Sequence, residues 1–108
     1  MVIRMDKNSN SYIISHNLEL DAAPVVLVKD NRSRTAVTIS NKSLSTITFG
    51  ILGEVGAVRG VDLAPGQTVT ITEQYDGDFA RIQITGICIT GTANVTVYEV
   101  MTYRETTR

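Results

Sequence analysis

The chain has 108 residues, a formal net charge of −1, 43% hydrophobic and 19% charged side chains, and one cysteine. That length makes one domain, able to bury roughly two-thirds of its unfolded surface without a disulfide or metal to hold it. The balanced charge and a pI of about 5.7 speak against a nucleic-acid-binding surface, and no stretch approaches the ~18 consecutive apolar residues of a membrane span.

In chain order, residues 1–11 (MVIRMDKNSNS) read as a polar arm with scattered apolar positions. They contain no apolar core of a secretion signal, so synthesis in a reducing cytoplasm is expected. Tyr12-Ile13-Ile14 reads as a short strand closed by a turn at Ser15-His16-Asn17. Residues 18–24 have no clear period. Val25 to Val28 is a continuous apolar run, expected to be a strand covered on both faces, followed by a polar turn over residues 29–33. Arg34 to Ser40 alternates, with Val37 and Ile39 inward and Thr38 and Ser40 outward. After a turn at residues 41–45, Ile47, Phe49 and Ile51 alternate again.

Gly53, Gly56 and Gly60 punctuate a long loop. Their spacing is not that of a dinucleotide fingerprint, and no helical pattern follows. Leu63-Ala64-Pro65-Gly66 reads as a type II turn, with Pro65 presetting its φ and Gly66 taking the positive one. Residues 67–101 then read as three consecutive antiparallel strands. Asp76-Gly77 predicts a type I′ hairpin. It sets Ile71 opposite Ile82 and Val69 opposite Ile84, with Thr72 meeting Arg81 and Thr70 meeting Gln83 on the other face. Thr90-Gly91-Thr92 predicts a second hairpin, with Ile87 opposite Val95. Ile82 and Ile84 are even, whereas Ile87 and Ile89 are odd. One inserted residue restores a common face and brings Ile84 opposite Val97, so a β-bulge is expected at Gly86. Residues 104–108 form a polar tail.

Six to eight short strands with turn chemistry between them, and no convincing helix, predict an all-β, single-domain antiparallel β-sandwich, jelly-roll-like, over residues 12–103, preceded by the extended arm.

No residue set announces a chemistry. His16 is the single histidine and falls in the expected turn, where an ordinary solvated side chain is the simplest reading. There is no nucleophile elbow. Glu73, Asp76 and Asp78 crowd one hairpin end but lack the spacing of a Ca²⁺ loop. Cys88 is expected to be a small buried side chain in a central strand. The expectation is therefore a protein that is not an enzyme and carries no cofactor or metal. Two groups are candidate partner contacts. One is the apolar set of the arm and first strand: Val2, Ile3, Tyr12, Ile13 and Ile14. The other is an aromatic and Arg face on adjacent strands: Phe79, Arg81, Gln83 and Tyr98.

The segments NRSRTAVTISNKSLSTITFG, GVDLAPGQTVTI and ARIQITGICITGTANVTVYEV resemble small structural proteins of tailed bacteriophages, most of all the capsid decoration, or cement, proteins. The resemblance covers residues 31–100. It implies a compact β-sandwich or jelly roll on the outer capsid surface of the virion, made in the host cytoplasm. Its partners would be the major capsid protein and itself, as a homodimer or homotrimer, with no nucleic acid and no membrane. The alternative is a carbohydrate-binding, fibre or neck β-module of a phage virion. No binding residue is implied by the resemblance.

Overall fold

The structure, a computed structural model, describes residues 2–4, 11–51, 55–56 and 60–102, with only the backbone for 2–4. The tail at 104–108, most of the arm, and Gly53 in the glycine-punctuated loop lie outside the described residues.

Among the described residues nine strands form two antiparallel sheets. They are β1 (Val2–Arg4), β2 (Ser11–Leu20), β3 (Val25–Val28), β4 (Arg34–Asn41), β5 (Ile47–Ile51), β6 (Val61–Leu63), β7 (Thr68–Thr72), β8 (Ile84–Ile87) and β9 (Ala93–Thr102). The five-stranded sheet runs β1-β2-β9-β4-β7 and the four-stranded sheet β3-β8-β5-β6. Apart from β1, that order is a jelly roll: almost every connection crosses from one sheet to the other, and long-range pairs such as β2 with β9 make the ladders. The expected all-β sandwich is present. Of these consecutive strands, β5 and β6 pair within one sheet, Ile47 with Leu63 and Phe49 with Val61.

The alternation in β4 and β5 sets the core as the sequence suggests. Val37, Ile39 and Ile47 are fully buried, and Phe49 nearly so. They pack with Leu20, Leu27, Leu63, Ile84, Val95 and Val97 between the sheets. Cys88 is buried and free, as expected. The Pro65-Gly66 turn closes from Gln67 N–H to the Ala64 carbonyl at 3.0 Å, with Gly66 at φ +79°. Asn41 locks the adjoining corner. Its Nδ2 donates to the carbonyls of Ser45 and Leu63, and its Oδ1 accepts from the backbone and hydroxyl of Ser43, so a wholly buried amide is fully satisfied.

Several pairings differ from expectation. Asp76-Gly77 does not turn a hairpin. β7 pairs with β4, setting Val69 against Ile39 and Ile71 against Val37, and the chain then crosses to the other sheet. The crossing is a helical turn, α1 (Glu73–Asp76), followed by a 3-10 turn over Gly77–Arg81. Thr72 caps it: its Oγ1 accepts from Tyr75 N–H while Asp76 Oδ2 accepts from Thr72 N–H. Gly77 is the helix C-cap, at φ +61° and ψ −132°, a conformation that favours glycine.

Thr90-Gly91-Thr92 likewise joins two sheets, not two neighbours. In β8 and the residue after it, Ile84, Gly86 and Cys88 face the main core, Ile87 is buried outside that core cluster, and Ile89 is half exposed. Ile84 pairs with Val28 and Ile51, not with Val69 or Val97, although it is fully buried as expected. Gly86 is not a bulge. It lies beneath Leu20 and Leu27, whose methyls would meet an added Cβ at 3.1 Å. The irregularity is on the neighbouring strand, between Val26 and Val28. β3 is an edge strand with Val26 41% exposed, so it is not covered on both faces. The expected turn at Ser15-His16-Asn17 is continuous strand, because β2 runs ten residues against β9.

Candidate functional site

The most concentrated polar chemistry lies at one end of the sandwich interior. Inward positions on β9 are Val95, Val97, Glu99 and Met101, and on β2 they are Ile14, His16, Leu18 and Leu20. Glu99 and His16 are thus charged or polar groups on apolar faces. β4 brings Arg34 to them. By alternation from Val37 and Ile39 an even residue would face outward, but the ladder with β9 slips between Arg34 and Ala36, and this turns Arg34 inward. Its side chain is fully buried.

Arg34 donates from Nε to the Ala80 carbonyl at 2.6 Å, from Nη1 to the Lys29 carbonyl and Glu99 Oε1 at 2.8 Å each, and from Nη2 to the Ile82 carbonyl at 2.8 Å. The other Glu99 oxygen, Oε2, accepts from His16 Nε2 at 2.5 Å. The guanidinium therefore clamps the segment after β3 and the α1–β8 crossover to the five-stranded sheet. A buried charge is tolerated because it is paired and four of its five N–H donors are met by these bonds. Only His16, with its side chain 39% exposed, presents this cluster outward. It opens into a groove of about 370 Å³ between β2 and β3, lined by Ile14, Leu18, Val26, Leu27, Val28 and Met101.

A second, apolar groove of about 400 Å³ lies between Phe49, Ile51, Val61, Ile71 and Phe79. Phe79 is 52% exposed. Its 3-10 turn is fixed by Arg81, which ion-pairs with Glu73 and Asp78. Two of the three acidic residues noted in the sequence are thus partners of one arginine, and the third, Asp76, serves the Thr72 cap.

Of the candidate contact residues, Val2 and Ile3 lie on β1, in register with Ile14 and Ile13 of β2, while Arg4 opposes Tyr12. The structure therefore gathers that group at one sheet edge. It does not gather the other group. Phe79 and Arg81 are on the 3-10 turn, and Gln83 precedes β8, with its N–H donating to Asp30 Oδ1. Tyr98 is on β9 in the other sheet, opposite Ser15 and Thr38. The expected adjacent-strand face required the Asp76-Gly77 hairpin and falls with it.

His16 is paired, not simply solvated in a turn, and Arg34 was not singled out at all. One signal was available: an acidic residue at an inward position of an otherwise apolar strand, Glu99, needs a buried cation.

Among the described residues no group of three or more His, Cys, Asp or Glu side chains is placed to hold a metal ion. No helix among them is long and apolar enough to cross a membrane.

No protein-family model matches the chain, and no curated protein matches it. Solved structures do. An HTH_3 family transcriptional regulator from Vibrio cholerae aligns with 94% of this chain at 12% identity and a TM-score of 0.56, and the chain spans 48% of that protein's length. The Cupin_2 domain of an XRE family transcriptional regulator from Enterobacter cloacae aligns over 96% of this chain and 97% of its own, at 15% identity and a TM-score of 0.56. The coat protein of Tobacco streak virus aligns over 97% of this chain and 94% of its own, at 8% identity and a TM-score of 0.46. The first two are similar to this chain in fold.

Proposed function

We propose that this protein is a non-enzymatic structural component of a phage virion, binding the outer surface of the head and stabilising contacts between major capsid protein subunits. The sequence resemblance supplies that reading, and the placement of the N-terminal segment supports it. β1 adds three residues to the edge of β2, in the register Val2–Ile14, Ile3–Ile13 and Arg4–Tyr12. A short edge strand is a main-chain docking element, and a neighbour's sheet edge offers the same hydrogen-bond pattern. In a shell, many copies of such a modest contact give a strong hold, because each attachment raises the effective concentration of the next.

The test is removal of residues 1–11. Apart from Ser11, which pairs with Thr102 at the end of the β2–β9 ladder, the jelly-roll ladders lie downstream, so the shortened protein should keep its far-UV circular dichroism and its cooperative melt. Its occupancy on undecorated heads, counted by quantitative mass spectrometry, should fall at least tenfold at subsaturating concentration. Unchanged occupancy overturns the role of the arm. No binding to heads by either protein, together with glycan binding by the full chain, replaces the reading with a carbohydrate-binding fibre module.

A further inference from the structure

We infer that two copies of this chain associate edge to edge through β2, related by a two-fold axis that passes beside Leu18. This surface does not rest on the phage assignment.

One side of the sandwich is built to be closed by something. β1 covers the outer edge of β2 only from Tyr12 to Ile14. From Ser15 to Leu20 that edge has no strand partner among the described residues, although the opposite edge of every one of these positions is paired with β9. An edge of six residues with no strand partner among the described residues presents a row of backbone donors and acceptors that invites another strand. The neighbouring edge of the second sheet is β3, where Val26 is 41% exposed. Between the two edges the sandwich stands open as the groove of about 370 Å³ with Leu18 in its wall. A single partner seated here would extend one sheet and cover the groove together.

The side-chain pattern of β2 selects a second copy as that partner. A two-fold axis perpendicular to the sheet keeps inner faces on one side, so residues equidistant from the axis oppose each other. With Leu18 at the axis, Leu18 meets Leu18 of the partner subunit and His16 meets Leu20 of the partner subunit, all on the inner face. Asn17 meets Glu19 of the partner subunit on the outer face, where both are exposed. Asn17 Oδ1 already accepts from Thr96 Oγ1, so its Nδ2 is the atom that would meet the Glu19 carboxylate. No like charges oppose each other, and apolar meets apolar only on the buried side. The pairing runs twice by symmetry and lies beyond Ile14, which is in register with Val2 of β1.

Sedimentation equilibrium of the full chain should give about twice the 11.8 kDa chain mass. Leu18→Lys places two like charges at the axis. It should return the mass to that of one chain while the circular dichroism spectrum stays that of the folded protein. If that variant does not fold, Leu18→Cys decides. Across the axis the two sulfurs face each other within disulfide range, so mild oxidation should give a reducible covalent dimer. Leu44→Cys, at a 97% exposed position in the turn between β4 and β5, should cross-link at least tenfold more slowly. A single-chain mass, a trimer mass, or equal cross-linking of the two cysteine variants would overturn the inference. The head-occupancy assay plays no part in these readouts, so failure of one reading leaves the other standing.

Discussion

Replacing Arg34 by methionine tests the buried clamp. Methionine has a comparable length but no donor, so four hydrogen bonds disappear at once: one to Glu99 and three to the carbonyls of Lys29, Ala80 and Ile82. Removing one member of a buried ion pair costs about 3–5 kcal/mol, because the remaining charge stays desolvated without its partner. A buried carbonyl left without a donor adds about 1–3 kcal/mol. That applies in full to Ala80, whose bond is buried, and less to Lys29 and Ile82, whose bonds are half-buried and can be replaced by water. His16 still holds one Glu99 oxygen, which offsets part of the loss.

The expected cost is about 3–5 kcal/mol, a large share of a typical domain's ~5–15 kcal/mol. For a chain of this size it corresponds to a fall in Tm of about 12–20 °C. Urea unfolding followed by far-UV circular dichroism should show a lower midpoint at unchanged slope. The double variant Arg34→Met/Glu99→Leu should be more stable than Arg34→Met alone, since no buried carboxylate is left unpaired. The cycle should give a coupling of at least about 1 kcal/mol. A single-variant loss below about 1 kcal/mol, or strict additivity, would refute the clamp.

Ile84→Ala, at a fully buried position between Val28 and Ile51, should cost about 2–5 kcal/mol in the same assay; a loss under about 1 kcal/mol would mean that β8 is not central. Gly60 has φ +104°, and a Cβ there would lie 2.6 Å from the Phe49 carbonyl oxygen. Gly60→Ala should therefore destabilise by at least about 1–3 kcal/mol, whereas Gly66→Ala, with open space around the Cβ, should cost less; the reverse order in thermal melts would contradict the geometry.

What the sequence determined by itself was local: which side chains of β4 and β5 point inward, and where the chain bends at Pro65-Gly66. Val37, Ile39, Ile47 and Phe49 could be assigned to the core because a strand's side chains alternate, and alternation needs only the strand itself. The Pro65-Gly66 turn was legible because its φ preferences belong to those two residues. Pairing was another matter. The alternation of Val69 and Ile71 fits Ile82 and Ile84 across a hairpin as well as it fits Ile39 and Val37 across a ladder, and Asp76-Gly77 satisfies a helix C-cap as readily as a hairpin turn. Only closure of the jelly roll separates these options, since it sends successive strands to opposite sheets and pairs β7 with β4. The same closure explains the arginine clamp. A one-residue slip at Thr35 reverses the face of Arg34, and the partner it then meets, Glu99, is brought from the far end of the chain by the β4–β9 ladder. Local preference sets the faces of a strand, but the buried charge and its partner are matched through contacts that exist only once the two sheets have packed.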